Sequence, residues 1–328
     1  MIAVRCGPGT CRMDDRSPSP EPRPGEAAVR PTRLAATPDL LEVPSVEASG
    51  GGLIPGHAFV GVIEASGSRE DAEVSGRGPG ARVIGPRQIV CGACDLCRAG
   101  LSEHCRSSQR IGIDRDGCLA ERVVLPTRSL IPVPDGIDDD EAVFAHDVAR
   151  ALHVSQRIRV DAKVYVTVLG DSPGALLASQ VMARLNASVR CLGKRPACYG
   201  LCEKWGVKHR HTDEVGRRAD QDVVIECTGT PTGLALAFEL VRPRGTIVLM
   251  PGDEPAPGER SATIGPVTAG ELELIGVASG DLGEALSTLA NSGLDVVSLI
   301  TRREPLARAD AALFASRDPD QLRVLIEN

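Results

Sequence analysis

Aromatic residues are nearly missing from this chain: four Phe, two Tyr and one Trp make up 2% of its 328 residues. A surface that stacks nucleobases needs such rings, so that mode of nucleic-acid binding is excluded, and the cores must be built from Val, Leu, Ile and Ala. A positive excess is missing too. Lys and Arg total 37 against 44 Asp and Glu, a net charge of -7, and no run of like charge is long enough to suit a nucleic-acid or membrane surface. No apolar run approaches the roughly 20 residues that span a bilayer. The start, Met1 to Arg5 followed by Cys6-Gly7-Pro8-Gly9, lacks the apolar segment of a secretory leader. These absences predict a cytoplasmic protein with no nucleic-acid and no membrane partner.

The length suits two domains, each able to bury its own core. Eleven cysteines are present, and a reducing compartment argues against disulfides. Four of them, Cys91, Cys94, Cys97 and Cys105, follow the spacing C-x2-C-x2-C-x7-C, which lets the backbone curl around a single tetrahedral ion. The expectation is one closed, structural zinc per chain, with the other seven cysteines as free thiols. Cys198 and Cys202 lie one helical turn apart, but no His or Cys stands near them at metal spacing, so they read as two free thiols on one helix.

From Met1 to about Gly52 the chain is rich in Pro, Gly and charge, with strand-like pieces such as Glu26 to Arg30. Further short strands are predicted at Ile54 to Glu64, Ala81 to Ile84 and Gly117 to Pro126, with Ile131 to Gly136 closing the part. Such strands, punctuated by Gly and Pro, predict a small irregular β-barrel. Asp138-Asp139-Asp140-Glu141 opens a helix that passes His146 and Leu152.

At Lys163 the period changes. Val164 to Leu169 is a near-continuous apolar strand, of the kind buried in parallel sheets. After the turn Gly170 to Ala175 come a helix from Leu176 to Leu185, a strand at Ser188 to Leu192 and a helix at Cys198 to Trp205. Strand Asp222 to Glu226, helix Thr232 to Val241 and strands Gly245 to Leu249 and Leu272 to Val277 follow. This alternation predicts an α/β, doubly wound parallel sheet. The tail supplies helices around Leu286 and Ala311 and a last strand at Leu322 to Ile326. The expected domains are 1–150, 151–283, and a segment 284–328 returning to the first.

The cysteine lobe, Gly56-His57-x-Phe59-Val60-Gly61, Gly112-Ile113-x5-Leu119-Ala120-Glu121, Val168-Leu169-Gly170-Asp171 and Asp222-Val223-Val224-Ile225-Glu226-Cys227-Thr228-Gly229 together carry a family resemblance. The chain resembles the medium-chain dehydrogenase/reductases of the zinc alcohol dehydrogenase type over essentially its whole length. That resemblance implies a GroES-like β-barrel domain, a Rossmann domain, a nicotinamide cofactor, a small alcohol or carbonyl substrate, and a catalytic cleft between the domains.

Members of the family hold the substrate alkoxide on a second zinc with an open position. Here the resemblance puts Ala36 where the first cysteine ligand stands and Pro38 where a proton-relay hydroxyl stands. Ala58 follows His57 in place of a glutamate, and His146, in Ala145-His146-Asp147, replaces another glutamate. Asp39 agrees with the family. The candidate catalytic residues are therefore His57, His146 and Asp39. Asp39 or Asp147 could complete a His2Asp zinc site. Alternatively the imidazoles could act without metal as a general acid, or be ordinary polar residues of a cleft.

Aligned on the dinucleotide fingerprint, the three glycine positions are Gly170, Ser172 and Ala175, with Gly174 beside them, and the helix that follows offers N–H groups to an anion. After the second strand the chain reads Gly193-Lys194-Arg195, two cations where an NAD enzyme places an acid. NADP(H) is thus preferred over NAD(H), unless Lys194 and Arg195 form only a solvated loop. The alternative from another class is a non-catalytic relative that binds nucleotide or a partner without hydride transfer. A homodimer or homotetramer is admitted by the resemblance, with Leu272 to Val277 at the pairing edge.

Overall fold

A hairpin opens the chain. In the computed structural model, β1 (Ala3–Gly7) and β2 (Thr10–Asp14) pair antiparallel with Cys6 opposite Cys11, and the two sulfurs are bonded across Cα atoms 4.1 Å apart. The expectation of seven free thiols therefore fails at this pair. Directly opposed residues on adjacent strands bring their Cβ atoms close, a nearness that linear spacing does not announce. The structure describes residues 1–7, 10–41, 52–68, 76–160, 164–185, 187–250 and 264–328, without the side chains of Thr10, Asp39, Leu41 and Ile264.

Two units divide the chain: Met1–His146 with Leu282–Gly293 and Ile300–Asn328, and Asp147–Asp281 with Leu294–Leu299. In the first, β3 (Glu26–Ala36) is the longest strand, and its Ala27, Val29, Leu34 and Ala36 enter one apolar core. β4 (Phe59–Ser66), β5 (Arg82–Ile84), β6 (Gln88–Ile89), β7 (Gln109–Arg110), β8 (Val123–Pro126) and β9 (Ile131–Pro132) follow. Phe59, Ile63 and Leu125 are buried in the same core, each worth about 1.5–3 kcal/mol on transfer from water. Helix α1 (Asp95–Arg98) lies in the cysteine lobe. α2 (Asp139–Ala142) starts as a capping box, Asp138 accepting from Glu141 N–H at 2.8 Å and the Glu141 carboxylate from Asp138 N–H at 3.0 Å. α3 (Ala145–Arg157) follows.

The second unit is built on β10 (Tyr165–Leu169), α4 (Pro173–Arg184), β11 (Ser188–Gly193), α5 (Ala197–Lys204), β12 (Lys208–His211), β13 (Gln221–Glu226), α6 (Pro231–Leu240), β14 (Val241–Leu249), α7 (Ile264–Gly270) and β15 (Glu273–Gly276). All six strands are parallel, in the order β12-β11-β10-β13-β14-β15. This is a doubly wound sheet that reverses direction between β10 and β13. The sequence did not announce β12, because Lys208-His209-Arg210-His211 is polar, yet His209 faces inward and is buried.

Helix α8 (Leu282–Ser292), β16 (Ile300–Pro305), α9 (Ala309–Ala315) and β17 (Arg323–Glu327) complete the first unit. Its large sheet runs β16-β17-β3-β4-β5-β9, with β8 also on β3. β17 runs antiparallel to β3, Val324 opposite Ala36. No helix among the described residues is long and apolar enough to cross a membrane.

Candidate functional site

The four lobe cysteines converge. Cys91 Sγ lies 3.9 Å from Cys97 Sγ and 3.5 Å from Cys105 Sγ, Cys94 Sγ lies 4.0 Å from Cys105 Sγ, and all four sulfurs fall within 4.8 Å of one another. A tetrahedron of sulfurs about 2.3 Å from zinc has edges of about 3.8 Å, so the donor set fits a structural zinc. The short pairing of β6 with β7 closes the base of the lobe. Backbone N–H groups of Ala93 and Cys94 lower the Cys91 thiol, and those of Cys97 and Arg106 bring Cys94 down to about 6. Loss of solvent and the Cys94 and Cys105 sulfurs push Cys97 up to about 12. Thiolates crowded this closely repel one another, and a cation at their centre removes the conflict.

His57 and His146 meet edge to face, ring centroids 5.2 Å apart and planes at 84°. Gly85 fixes the second ring: His146 Nε2 lies 3.1 Å from the Gly85 carbonyl oxygen. A carbonyl can only accept, so Nε2 carries the hydrogen. Ala36 is 3% exposed and its methyl belongs to the apolar core. Ala58 offers only its carbonyl, which accepts from Ala35 N–H at 3.0 Å. Among the described residues two groups could hold a metal, and neither contains His57 or His146. His57 and His146 therefore belong to no three-ligand set among the described residues. Asp39 lies in the turn Pro38–Leu41, and its side chain is outside them.

In the second unit Gly170 ends β10 with a φ of +106°, the conformation that favours glycine. Ser172 caps α4: its Oγ accepts from Ala175 N–H at 3.4 Å, and Pro173 at the first helical position has no N–H to give. The helix start thus keeps fewer free donors than its position suggests, Gly174 N–H among them. Across the sheet's reversal, the Glu226 carboxylate at the end of β13 accepts from Thr228 N–H at 2.7 Å, Gly229 N–H at 3.1 Å and the Thr228 hydroxyl. These donors satisfy a carboxylate that is 3% exposed.

The residue that sequence reasoning missed is Asp171. Its Oδ2 accepts from Lys194 N–H at 2.8 Å and Arg195 N–H at 2.6 Å, and Arg195 Nη1 donates back to the Asp171 carbonyl at 3.2 Å. A Cβ on Gly193 would sit 2.2 Å from that carboxylate, so the bare backbone lets Asp171 lie over the end of β11. Lys194 stays exposed, while Arg195 is half-buried against the acid. The sequence signal was present in an acid directly after the first fingerprint glycine, opposite a loop with two cations.

Comparison with known proteins gives concordant matches. The alcohol dehydrogenase GroES-like domain pattern matches residues 24–135. An L-threonine 3-dehydrogenase from Proteus mirabilis (strain HI4320) is 27% identical over 289 residues, 84% of this chain and 82% of that protein. The structure of a dehydrogenase from Sinorhizobium meliloti 1021, assigned as zinc-binding and solved with NADP bound, superposes with a TM-score of 0.85 at 25% identity, covering 100% of this chain and 99% of that one. An alcohol dehydrogenase from E. coli CFT073 in complex with NADH has the same fold, with a TM-score of 0.86 at 20% identity and coverage of 100% and 99%.

Proposed function

We propose, for this medium-chain dehydrogenase/reductase of the zinc-containing alcohol dehydrogenase type, that it interconverts a small alcohol and its carbonyl compound with NADP(H) as the redox partner. It is an NAD(P)-dependent oxidoreductase acting on a small molecule, built from a GroES-like domain and a Rossmann domain. The observation that carries the cofactor reading is the glycine turn at Gly170, which lies at the reversal of the parallel sheet between β10 and β13, where nucleotides bind such sheets.

Gly170, Ser172, Gly174 and Ala175 would receive the pyrophosphate, and Lys194 and Arg195 the 2'-phosphate. When bound, the nicotinamide exchanges a hydride with the substrate carbon. This chain has to supply or take the proton at the substrate oxygen and to keep that oxygen in place. His57 is the proposed acid and base, since an imidazole changes charge near neutral pH. His146, held on the Gly85 carbonyl, fixes the His57 ring by its edge-to-face contact. Asp39 completes the proposed set. The structural zinc belongs to Cys91, Cys94, Cys97 and Cys105, and a closed four-sulfur site leaves no position for substrate.

Lys194 supports the preference for NADP(H), because no ion pair engages its side chain among the described residues. Arg195 supports it less, its charge being turned toward Asp171. A homodimer or homotetramer forms part of the proposal, supported by Leu274, 40% exposed on the edge strand β15, and so does a cytoplasmic location, where the Cys6–Cys11 pair would be kept as two thiols. Calorimetric titration with NADPH and NADH, followed by turnover of a panel of small alcohols and aldehydes, tests the whole reading. Tighter binding of NADPH and turnover lost on His57→Gln are expected. Tighter NADH binding would sink the cofactor choice, and no turnover with either cofactor would sink the enzyme reading.

A further inference from the structure

One cluster of side chains takes no part in this chemistry. Cys191 on β11 and His209 on β12 are register partners across two parallel strands, so both side chains leave the sheet on the same face. Helix α5 packs on β12 and brings a fully buried Cys202 to them. The two sulfurs and an imidazole nitrogen lie within 4.8 Å of one another. The His209 side chain is 1% exposed, and neither ring nitrogen has a hydrogen-bond partner. Its Nε2 faces Asp171 Oδ2 at 4.0 Å, beyond hydrogen-bond reach, and the Tyr199 ring meets the imidazole edge to face with centroids 4.4 Å apart. Buried polar atoms left without partners are rare in folded proteins and ask for an explanation.

We propose that Cys191, Cys202 and His209 form a second metal site, separate from the four-cysteine lobe, for a divalent thiophilic ion of the zinc type. Two sulfurs and one imidazole are ordinary zinc donors, and thiolates select against magnesium and calcium. Charge supports the divalent ion. Two thiolates cancel its charge, so the loaded cluster is neutral, as a buried layer requires. Loading releases two thiol protons to solvent, one of them the proton that Cys191 donates to the Gly170 carbonyl at 3.3 Å. Asp171 beyond Nε2 occupies the position from which carboxylates orient metal-bound imidazoles. The ion would join β11, β12 and α5, and β11 runs directly into Lys194 and Arg195. Spacing alone conceals the site, since its three ligands come from a strand, a helix and the next strand.

The test is metal content of the full chain loaded with zinc and freed of loosely bound ion. Two equivalents per chain are expected, falling to one in His209→Phe, which keeps a ring against Tyr199, and to one in Cys202→Ala. Wild-type protein that holds a single equivalent, unchanged in both variants, overturns the proposal. Zinc K-edge absorption on the wild type decides the matter even if neither variant folds. An average shell of about three sulfurs per zinc with added nitrogen supports two sites, whereas four sulfurs and no nitrogen leaves only the lobe and refutes the second.

Discussion

Asp171 and Arg195 hold each other twice, the acid taking the Arg195 backbone N–H at 2.6 Å while the guanidinium turns back to the Asp171 carbonyl at 3.2 Å. The acid that an NAD enzyme carries at the end of its second strand has here been brought in from the glycine turn after β10. Removing the negative charge should release Arg195. Asp171→Asn is expected to raise the ratio of NADPH to NADH affinity and to lower stability by about 1–2 kcal/mol, since charged hydrogen bonds are weakened. Paired calorimetry and thermal melts read both effects; an unchanged ratio would remove Asp171 from cofactor selection.

If the cofactor is NADP(H), as proposed, Lys194 is the cation left for its 2'-phosphate. Lys194→Ala should weaken NADPH roughly tenfold, about 1.4 kcal/mol, and leave NADH unchanged. Equal loss for both nucleotides would mean that the side chain reads the common part of the cofactor.

The proton transfer proposed for His57 gives a kinetic expectation. His57→Gln should lower kcat by a factor of about 100 to 10,000 with the zinc content unaltered. A variant with full activity would return His57 to the status of an ordinary polar residue.

The cysteine lobe should fail as a unit. Cys105→Ser, or prolonged chelation of the wild type, is expected to release the lobe zinc, lower the melting temperature and open the segment from Cys91 to Cys105 to proteolysis. Intact melting behaviour after that zinc is gone would show that the lobe needs no metal.

Acid stability should depend on Asp295. Burial alone would raise its carboxyl, but Lys204 Nζ at 2.7 Å, Ser298 Oγ at 2.9 Å and the Trp205 indole N–H at 3.1 Å outweigh burial and hold it at about 2, below the usual 3.8. A depressed folded value stabilises the fold above the unfolded value. That contribution, about 1–2 kcal/mol, is lost as pH falls from about 4 through about 2. Asp295→Asn should melt lower than wild type at pH 7 and converge with it near pH 2. A constant gap between the two melting curves across that range would contradict the assignment.

Local pattern told most where chemistry is local. The lobe is legible because Cys91 to Cys105 closes within one short segment, and β10 with its turn because a strand that is apolar save for Thr167 runs into Gly170. The capping box at Asp138 and Glu141 was readable as an acidic helix start for the same reason. What escaped was brought together by tertiary pairing. Asp171 reaches Lys194 and Arg195 only after β10 and β11 lie side by side. His209 sits in a stretch as polar as a surface loop, and its burial follows from α5 covering β12. The sequence showed Ala36 and Ala58 where the resemblance implies a cysteine and a glutamate, and the structure places Ala36 in the apolar core, opposite Val324 of β17.

The short segment Leu294–Leu299 has a consequence for how this protein can be taken apart. It is counted with the second unit, and Gln180 grips it in both directions, Nε2 to the Asp295 carbonyl and Oε1 from the Asp295 N–H, each at 3.0 Å. A fragment cut at residues 147 and 281 would lack that clasp and the Asp295 cluster with Lys204, Trp205 and Ser298. A fragment cut instead to include them must carry α8, which is counted with the other unit. Domain-swapped chimaeras joined at a single point in this chain would therefore exchange incomplete parts, and shuffling its second unit with that of a structurally similar dehydrogenase requires at least two junctions, one on each side of this clasp.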